Sequence, residues 1–280
     1  MRIVVAGAAG MLAREVIDAA ARRGHHVDAL DHADLDITDP TSIDEAMEDF
    51  EPEAVINCAA WSDVEGAEDD ERGAMAINDT GAALLAAGAA RIGASVLHPS
   101  SDYVFDGTKG TPYLEEDMPN PISAYGRSKL GGEVSVAAAN SRHFIVRSSW
   151  LYGVGGKNFV ETMIRIGSQQ PEVLVVSDQR GCPTSCVDLA DGMVRLVETD
   201  GYGIHHMRGG GECTWFEFAQ EIFDQAEMDT RVMSATTDMM SFKASRPAYS
   251  VLGHDRDDAI ALPPWQRSLR RYLDDRELVR

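Results

Sequence analysis

At 280 residues and 44% hydrophobic, the chain is long enough to bury one large core, or a core with a smaller companion region grown on it. A formal charge of −21 argues against nucleic acid and anionic membrane as partners, because the summed field repels polyphosphate. No run approaches the roughly 18 apolar residues of a membrane helix, the first residues enter a buried-strand pattern rather than a charged leader, and the four cysteines show no two-apart metal pairing; a cytoplasmic protein with reduced thiols and no metal site is expected.

Strand patterns cover 2–7, 26–30, 53–57 and 94–100. Helical periodicity covers 11–23, 41–49 and 74–92, the second opened by the cap-like Asp39-Pro40-Thr41-Ser42. This alternation predicts an α/β fold, a doubly wound parallel sheet of Rossmann type. A Pro- and Gly-rich segment at 107–123, a helix at 125–140 and a strand at 143–148 follow. Beyond about residue 151 the alternation loosens, with helices at 157–168, 187–198 and 214–226.

Gly7-Ala8-Ala9-Gly10-Met11-Leu12-Ala13 lies between the first strand and the first helix, where small residues let the backbone approach a pyrophosphate and the helix start offers free N–H groups. Gly7, Gly10, Met11 and Leu12 are therefore expected to cradle a dinucleotide. Asp31, a little more than twenty residues beyond the turn, suits a ribose hydroxyl and so NADH; Arg14 lies close enough to meet a 2′-phosphate, which keeps NADPH open. Residues 1–150 then form a dinucleotide-binding domain, and 151–280 a smaller C-terminal substrate-binding region interleaved with the last sheet elements.

Ser100-Ser101-Asp102-Tyr103 stands at the end of the fourth strand, and Tyr125 and Lys129 stand four apart on a helix, on one face about one turn from each other. A phenol working near neutral pH needs its anion stabilised by about 4 kcal/mol, and the Lys129 ammonium is expected to supply much of it. Lys129 would also bind the nicotinamide ribose, and Ser101 would donate to a carbonyl oxygen as charge develops there. A tyrosine, a lysine and a strand-end serine in this order point to carbonyl reduction with a nicotinamide cofactor.

At these residues the chain resembles the extended short-chain dehydrogenase/reductases, and within them the dTDP-4-dehydrorhamnose reductase family. The resemblance covers nearly the whole chain and includes Asp34-Leu35-Asp36-Ile37-Thr38-Asp39, Ile56-Asn57-Cys58-Ala59-Ala60, Ser101-Asp102-Tyr103-Val104-Phe105-Asp106-Gly107, Tyr125-Gly126-Arg127-Ser128-Lys129-Leu130, Arg147-Ser148-Ser149-Trp150-Leu151-Tyr152-Gly153, Asp178-Gln179-Arg180-Gly181-Cys182-Pro183-Thr184 and Ser245-Arg246-Pro247. It implies Ser101, Tyr125 and Lys129 as the catalytic set, Asp36 and Ile37 at the adenine, and Ala59 and Ala60 along the cofactor. Ser62, Val64, Asp102, Tyr103 and Trp150 would frame the sugar, whose C4 ketone takes hydride from NADH or NADPH. A nucleotide-sugar substrate, a homodimer and, in some members, Mg²⁺ are further implications. Trp61 and Val64-Glu65-Gly66-Ala67-Glu68 depart from the family pattern beside the expected sugar pocket, so the exact sugar stays open. A 4,6-dehydratase is the nearest enzymatic rival, disfavoured because Tyr103 stands where a glutamate would be needed; a non-catalytic NAD(P)-binding regulatory subunit is disfavoured by the intact catalytic set.

Overall fold

A computed structural model describes residues 1–278, with side chains through Arg276. Strand β1 (Arg2–Ala6) leads through helix α1 (Met11–Arg22) to β2 (His26–Leu30), then α2 (Pro40–Phe50) and β3 (Ala54–Asn57). Helices α3 (Val64–Asp69), α4 (Glu71–Met75) and α5 (Ala82–Arg91) precede β4 (Ser95–Ser101), α6 (Ala124–Ala139) and β5 (His143–Ser148). The central sheet is parallel throughout, in the order β2-β1-β3-β4-β5 followed by the strand Gly203–His206. This is the doubly wound, Rossmann-type α/β fold. Strand order reverses at β1, with β2 on one side and β3 on the other, so a crevice opens at the C-terminal ends of β1 and β3.

Alternation along the strands explains the layering. Ile3, Val5, Ile56, Leu97, Phe144 and Val146 pack against α1 and the helix Cys186–Val197, while Val4, Ala6, Val55 and Val96 pack against α2, α5 and Val136 of α6. Both sheet faces are covered, which is why these strands read as continuous apolar runs. The chain after β5 builds its own cluster around Tyr152, Val160, Phe218, Phe223 and Trp265. It also gives the helix Cys186–Val197 and the strand Gly203–His206 back to the central body. Short pairings that the periodicity did not reveal, Glu172–Val176 with Arg231–Ala235 and Arg180–Gly181 with Cys213–Thr214, tie the later segments together.

The segment 74–92, expected as one helix, contains a wider π turn at Ala76–Gly81 between α4 and α5, and α3 was not foreseen. The wider turn directs Asn78 inward, where its amide accepts from Trp61 N (2.9 Å) and donates to Trp61 O (3.0 Å) and to Ser128 Oγ (2.9 Å) on α6.

Helix α6 carries an unusually polar buried face. Ser123 caps it through Gly126 N (3.1 Å), and Glu68 accepts from Ala124 N (2.8 Å), satisfying two otherwise orphaned donors. Glu133 is 3% exposed and takes a two-point grip from Arg147 on β5, at 2.9 and 2.7 Å, with Ser100 of β4 donating at 2.5 Å. Glu133→Gln leaves Arg147 with an unmatched buried charge and should cost about 3–5 kcal/mol, read as a fall in the denaturant midpoint; the double change Glu133→Met with Arg147→Met should recover much of that loss.

Candidate active site

Gly7 adopts φ +75°, and a Cβ there would stand 2.6 Å from the backbone nitrogen of Ala59. Only glycine allows β1 to turn into α1 while pressed this closely on the loop after β3. Gly10 caps α1 without a side-chain acceptor, so Met11 and Leu12 begin the helix with N–H groups facing the crevice end of β1. Met11 packs under Gly153 and Gly156, and Arg14 lies beside Gly155, so the segment 153–156 covers the glycine turn. This backbone-lined cleft fits a dinucleotide pyrophosphate in spite of the acidic surface, because N–H groups and a helix start supply the attraction locally. A cavity of about 1320 Å³ lined by Lys157, Asn158, Arg165 and Arg276 among others includes none of Ser101, Tyr125 and Lys129.

At the adenosine end the acidic residues sit in local turns. Asp31 Oδ1 accepts from Ala33 N (2.7 Å), and Asp36 Oδ1 accepts from Thr38 N (2.9 Å) and Thr38 Oγ1 (2.7 Å), which hold its carboxyl below the usual range. Both bonds shape the loop after β2, a structural task that the spacing did not assign to these side chains. Ile37 is buried against Gly81 in the π turn. Ala59 is half-buried and Ala60 and Ser62 are exposed along the loop after β3, with half-buried Val64 opening α3.

Ser101, Tyr125 and Lys129 gather at the end of β4 under the first turns of α6. Ser101 is 7% and Lys129 3% exposed, and the rings of Tyr103 and Tyr125 meet edge to face with centroids 5.7 Å apart. The expected depression of the Tyr125 pKa is corrected by its surroundings. Burial and the Asp102 carboxylate push the phenol up to about 12, with the Ser101 hydroxyl working the other way. Burial brings Lys129 down to about 8, opposed by Glu133 and Cys58. The group with the mobile proton near neutral pH is therefore the lysine; the tyrosine stays protonated.

Asp102, expected to frame the sugar, is 1% exposed and turned inward, accepting from Ser101 Oγ (3.1 Å) and Ser250 Oγ (2.5 Å). It orients Ser101 rather than presenting an open carboxylate. Trp150 has φ +51° and stacks on Trp215 at 3.5 Å with an 8° interplanar angle, so one indole face is already covered. Tyr103 stays half-exposed beside Arg246, whose guanidinium pairs with Glu65 and lies over the Phe242 ring. Arg246, Asn57 and Ser250 were legible only as parts of matched motifs, and His98 only as a packed or hydrogen-bonded histidine on a strand; none was given a role in the site. Among the described residues no group of three or more His, Cys, Asp and Glu is arranged to hold a metal ion, so none is assigned to Mg²⁺.

The family profile described as RmlD substrate binding domain matches residues 1–278. The spore coat polysaccharide biosynthesis protein SpsK of Bacillus subtilis is 38% identical over 277 residues, 98% of each chain. A dTDP-4-dehydrorhamnose reductase of Streptomyces griseus is 41% identical, over 96% of this chain and 91% of its own. The solved dTDP-4-dehydrorhamnose reductase of Bacillus anthracis in complex with NADP is 36% identical, with a TM-score of 0.95 over 98% of this chain and 99% of that one.

Gly7→Ala forces both a strained φ and a clash with Ala59, and should weaken NADH binding about tenfold or more by fluorescence titration while the chain stays folded. Asp102 sits at about 7 in the folded chain against 3.8 unfolded. Its contribution to stability is thus complete below about pH 4 and lost as pH rises through about 7. Asp102→Asn should flatten that part of the stability-against-pH curve in chemical denaturation; an unchanged slope between pH 4 and 7 would show that the carboxyl is not held protonated.

Proposed function

The chain belongs to the RmlD substrate binding domain family, and on that premise we propose that it reduces the C4 ketone of a nucleotide-linked 6-deoxy-4-ketohexose with NADH or NADPH. The substrate pair of first choice is dTDP-4-dehydro-L-rhamnose and dTDP-L-rhamnose. The observation that carries the reading is the meeting of Ser101 and Tyr125 at the end of β4, with Lys129 one turn further along α6 against Cys58, next to the loop on which the Gly7 turn presses.

A bound reduced nicotinamide supplies hydride to C4. Tyr125, kept protonated by burial, gives its phenolic proton to the carbonyl oxygen, which becomes a far stronger base than a phenolate as hydride arrives. Ser101 donates to the same oxygen, exchanging its bond to Asp102 for one to the developing negative charge. The Lys129 ammonium steadies the phenolate left behind and binds the ribose that fixes the nicotinamide ring. Gly7, Gly10, Met11 and Leu12 hold the pyrophosphate, Asp31, Asp36 and Ile37 the adenosine, and Ala59 and Ala60 flank the remainder. Tyr103, Trp150, Ser62 and Val64 bound the sugar, with Arg246 added as a cationic partner for hydroxyl or phosphate oxygens.

Residues 1–150 bind the cofactor and 151–280 complete the substrate cleft in this reading, and the protein works as a cytoplasmic homodimer. Reduction of another dTDP-4-ketodeoxysugar is the second reading, favoured by Trp61 and by the Glu65–Arg246 pair at the mouth of the sugar cleft.

Following loss of NADH or NADPH absorbance across a panel of nucleotide 4-ketosugars tests the proposal; oxidation of neither cofactor with any of them overturns it. Tyr125→Phe should lower kcat by about a hundredfold or more and leave cofactor affinity within about twofold, since it removes only the acid.

A further inference from the structure

His98 lies on β4 directly beneath Lys129 and has no part in the reaction as derived so far. It is 1% exposed, Asn57 beside it 2%, and Lys129 3%. Its Nδ1 stands 3.3 Å from Asn57 Nδ2, and its Nε2 stands 3.5 Å from Lys129 Nζ. A Cβ on Gly132 would collide with Asn78 O and stand 3.1 Å from Nε2, so α6 carries a glycine where it passes the π turn and the ring.

With the Asn57 amide oriented by the backbone, the hydrogen inventory of this row favours one tautomer of His98. Asn57 Oδ1 accepts from Ala59 N at 3.2 Å, which orients the amide and aims its NH₂ at His98 Nδ1. His98 is held neutral by burial and by the neighbouring lysine, and a neutral imidazole has one N–H and one acceptor. With Nδ1 accepting, the proton sits on Nε2 and faces the lysine nitrogen. An amine can accept it; an ammonium cannot.

Resting on the reductase reading, we propose that Asn57 and His98 form a positioning pair that sets the charge of Lys129: Asn57 locks the His98 tautomer whose Nε2–H stabilises the lysine as an amine. Lys129 thereby becomes a proton donor rather than a permanent cation. As Tyr125 O–H breaks and the sugar O–H forms, a phenolate remains. A Lys129 N–H then breaks as the phenol O–H is restored, and the resulting amine accepts the His98 hydrogen bond until solvent returns a proton to it. The other ionisable groups facing Lys129 do not replace this pair. Cys58, at the end of β3, is kept a thiol by burial, Glu133 is engaged by Arg147, and Tyr125 stays a phenol at neutral pH.

The chain has lysine only at positions 109, 129, 157 and 243, so Lys129 can be followed in protein labelled with ¹³C at lysine Cε, its resonance assigned by loss in Lys129→Arg. In the wild type it should titrate near 8. His98→Gln offers an acceptor with no fixed tautomer and should move that midpoint upward by about half a pH unit or more, the other three lysines staying in place. Asn57→Ala, which frees the ring to switch tautomer, should move it the same way, and should add nothing in the His98→Gln background. In turnover, the alkaline limb of kcat should move upward with the same variants while KM for the cofactor stays within about twofold. An unmoved or lowered Lys129 midpoint in His98→Gln, or an additive effect of Asn57→Ala, overturns the proposal. If His98→Gln does not fold, Asn57→Ala alone decides. The titration needs no substrate, so a chain that reduces no 4-ketosugar yet shows the shift refutes the reductase reading and leaves the tautomer lock standing.

Discussion

Three residues spaced four apart along α6, Tyr125, Lys129 and Glu133, look into the protein, and the last of them is gripped at two points by Arg147 of β5. An ion pair this deeply buried is a poor source of net stability, because desolvating both charges offsets most of their attraction. What it provides is placement. With Ser100 also bound to Glu133, the helix cannot slide or rotate on the sheet without stranding a charge, and the residues one and two turns earlier inherit that fixed position. The strand end carrying Ser101 and the helix start carrying Tyr125 are thus held to each other by polar chemistry placed away from the reacting centre.

The same burial decides how protons are distributed. Excluding water raises the phenol, raises the Asp102 carboxyl and lowers the lysine, all by penalising charge. These shifts suit a chain that must give protons away. A site working in the oxidative direction alone would gain from a lowered phenol; in the proposed reduction the phenol arrives loaded, and the lysine is the group that would reload it.

Much of this was readable from residue order. The apolar runs 2–7, 53–57 and 94–100 belong to strands covered on both faces, and Gly7 with Gly10 announces its turn, because parallel strands and tight turns leave strong local signatures. Tyr125 and Lys129 are legible because their partnership is a matter of helical spacing. The inward turn of Asp102 depends on Ser250, 148 residues away, and the tautomer of His98 depends on Asn57, 41 residues away; no local pattern records either contact. The π turn at Ala76–Gly81 was equally hidden, since one extra residue in a turn leaves the apolar period almost unchanged. Electrostatic sign was the hardest inference: an adjacent lysine suggested an acidic phenol, and only the depth of the site reverses that expectation.

The strand Gly203–His206 closes the sheet against β5 although it is drawn from the chain well beyond β5, after segments that help build the second core. The two halves are consequently not interchangeable cassettes. A new specificity region grafted after residue 150 would have to bring its own edge strand, in parallel register with Phe144 through Arg147, or leave the flank of β5 without a hydrogen-bonding neighbour. Divergence toward new sugars in such a scaffold is channelled into loops and side chains around the cleft, with the thread that stitches the halves together left intact.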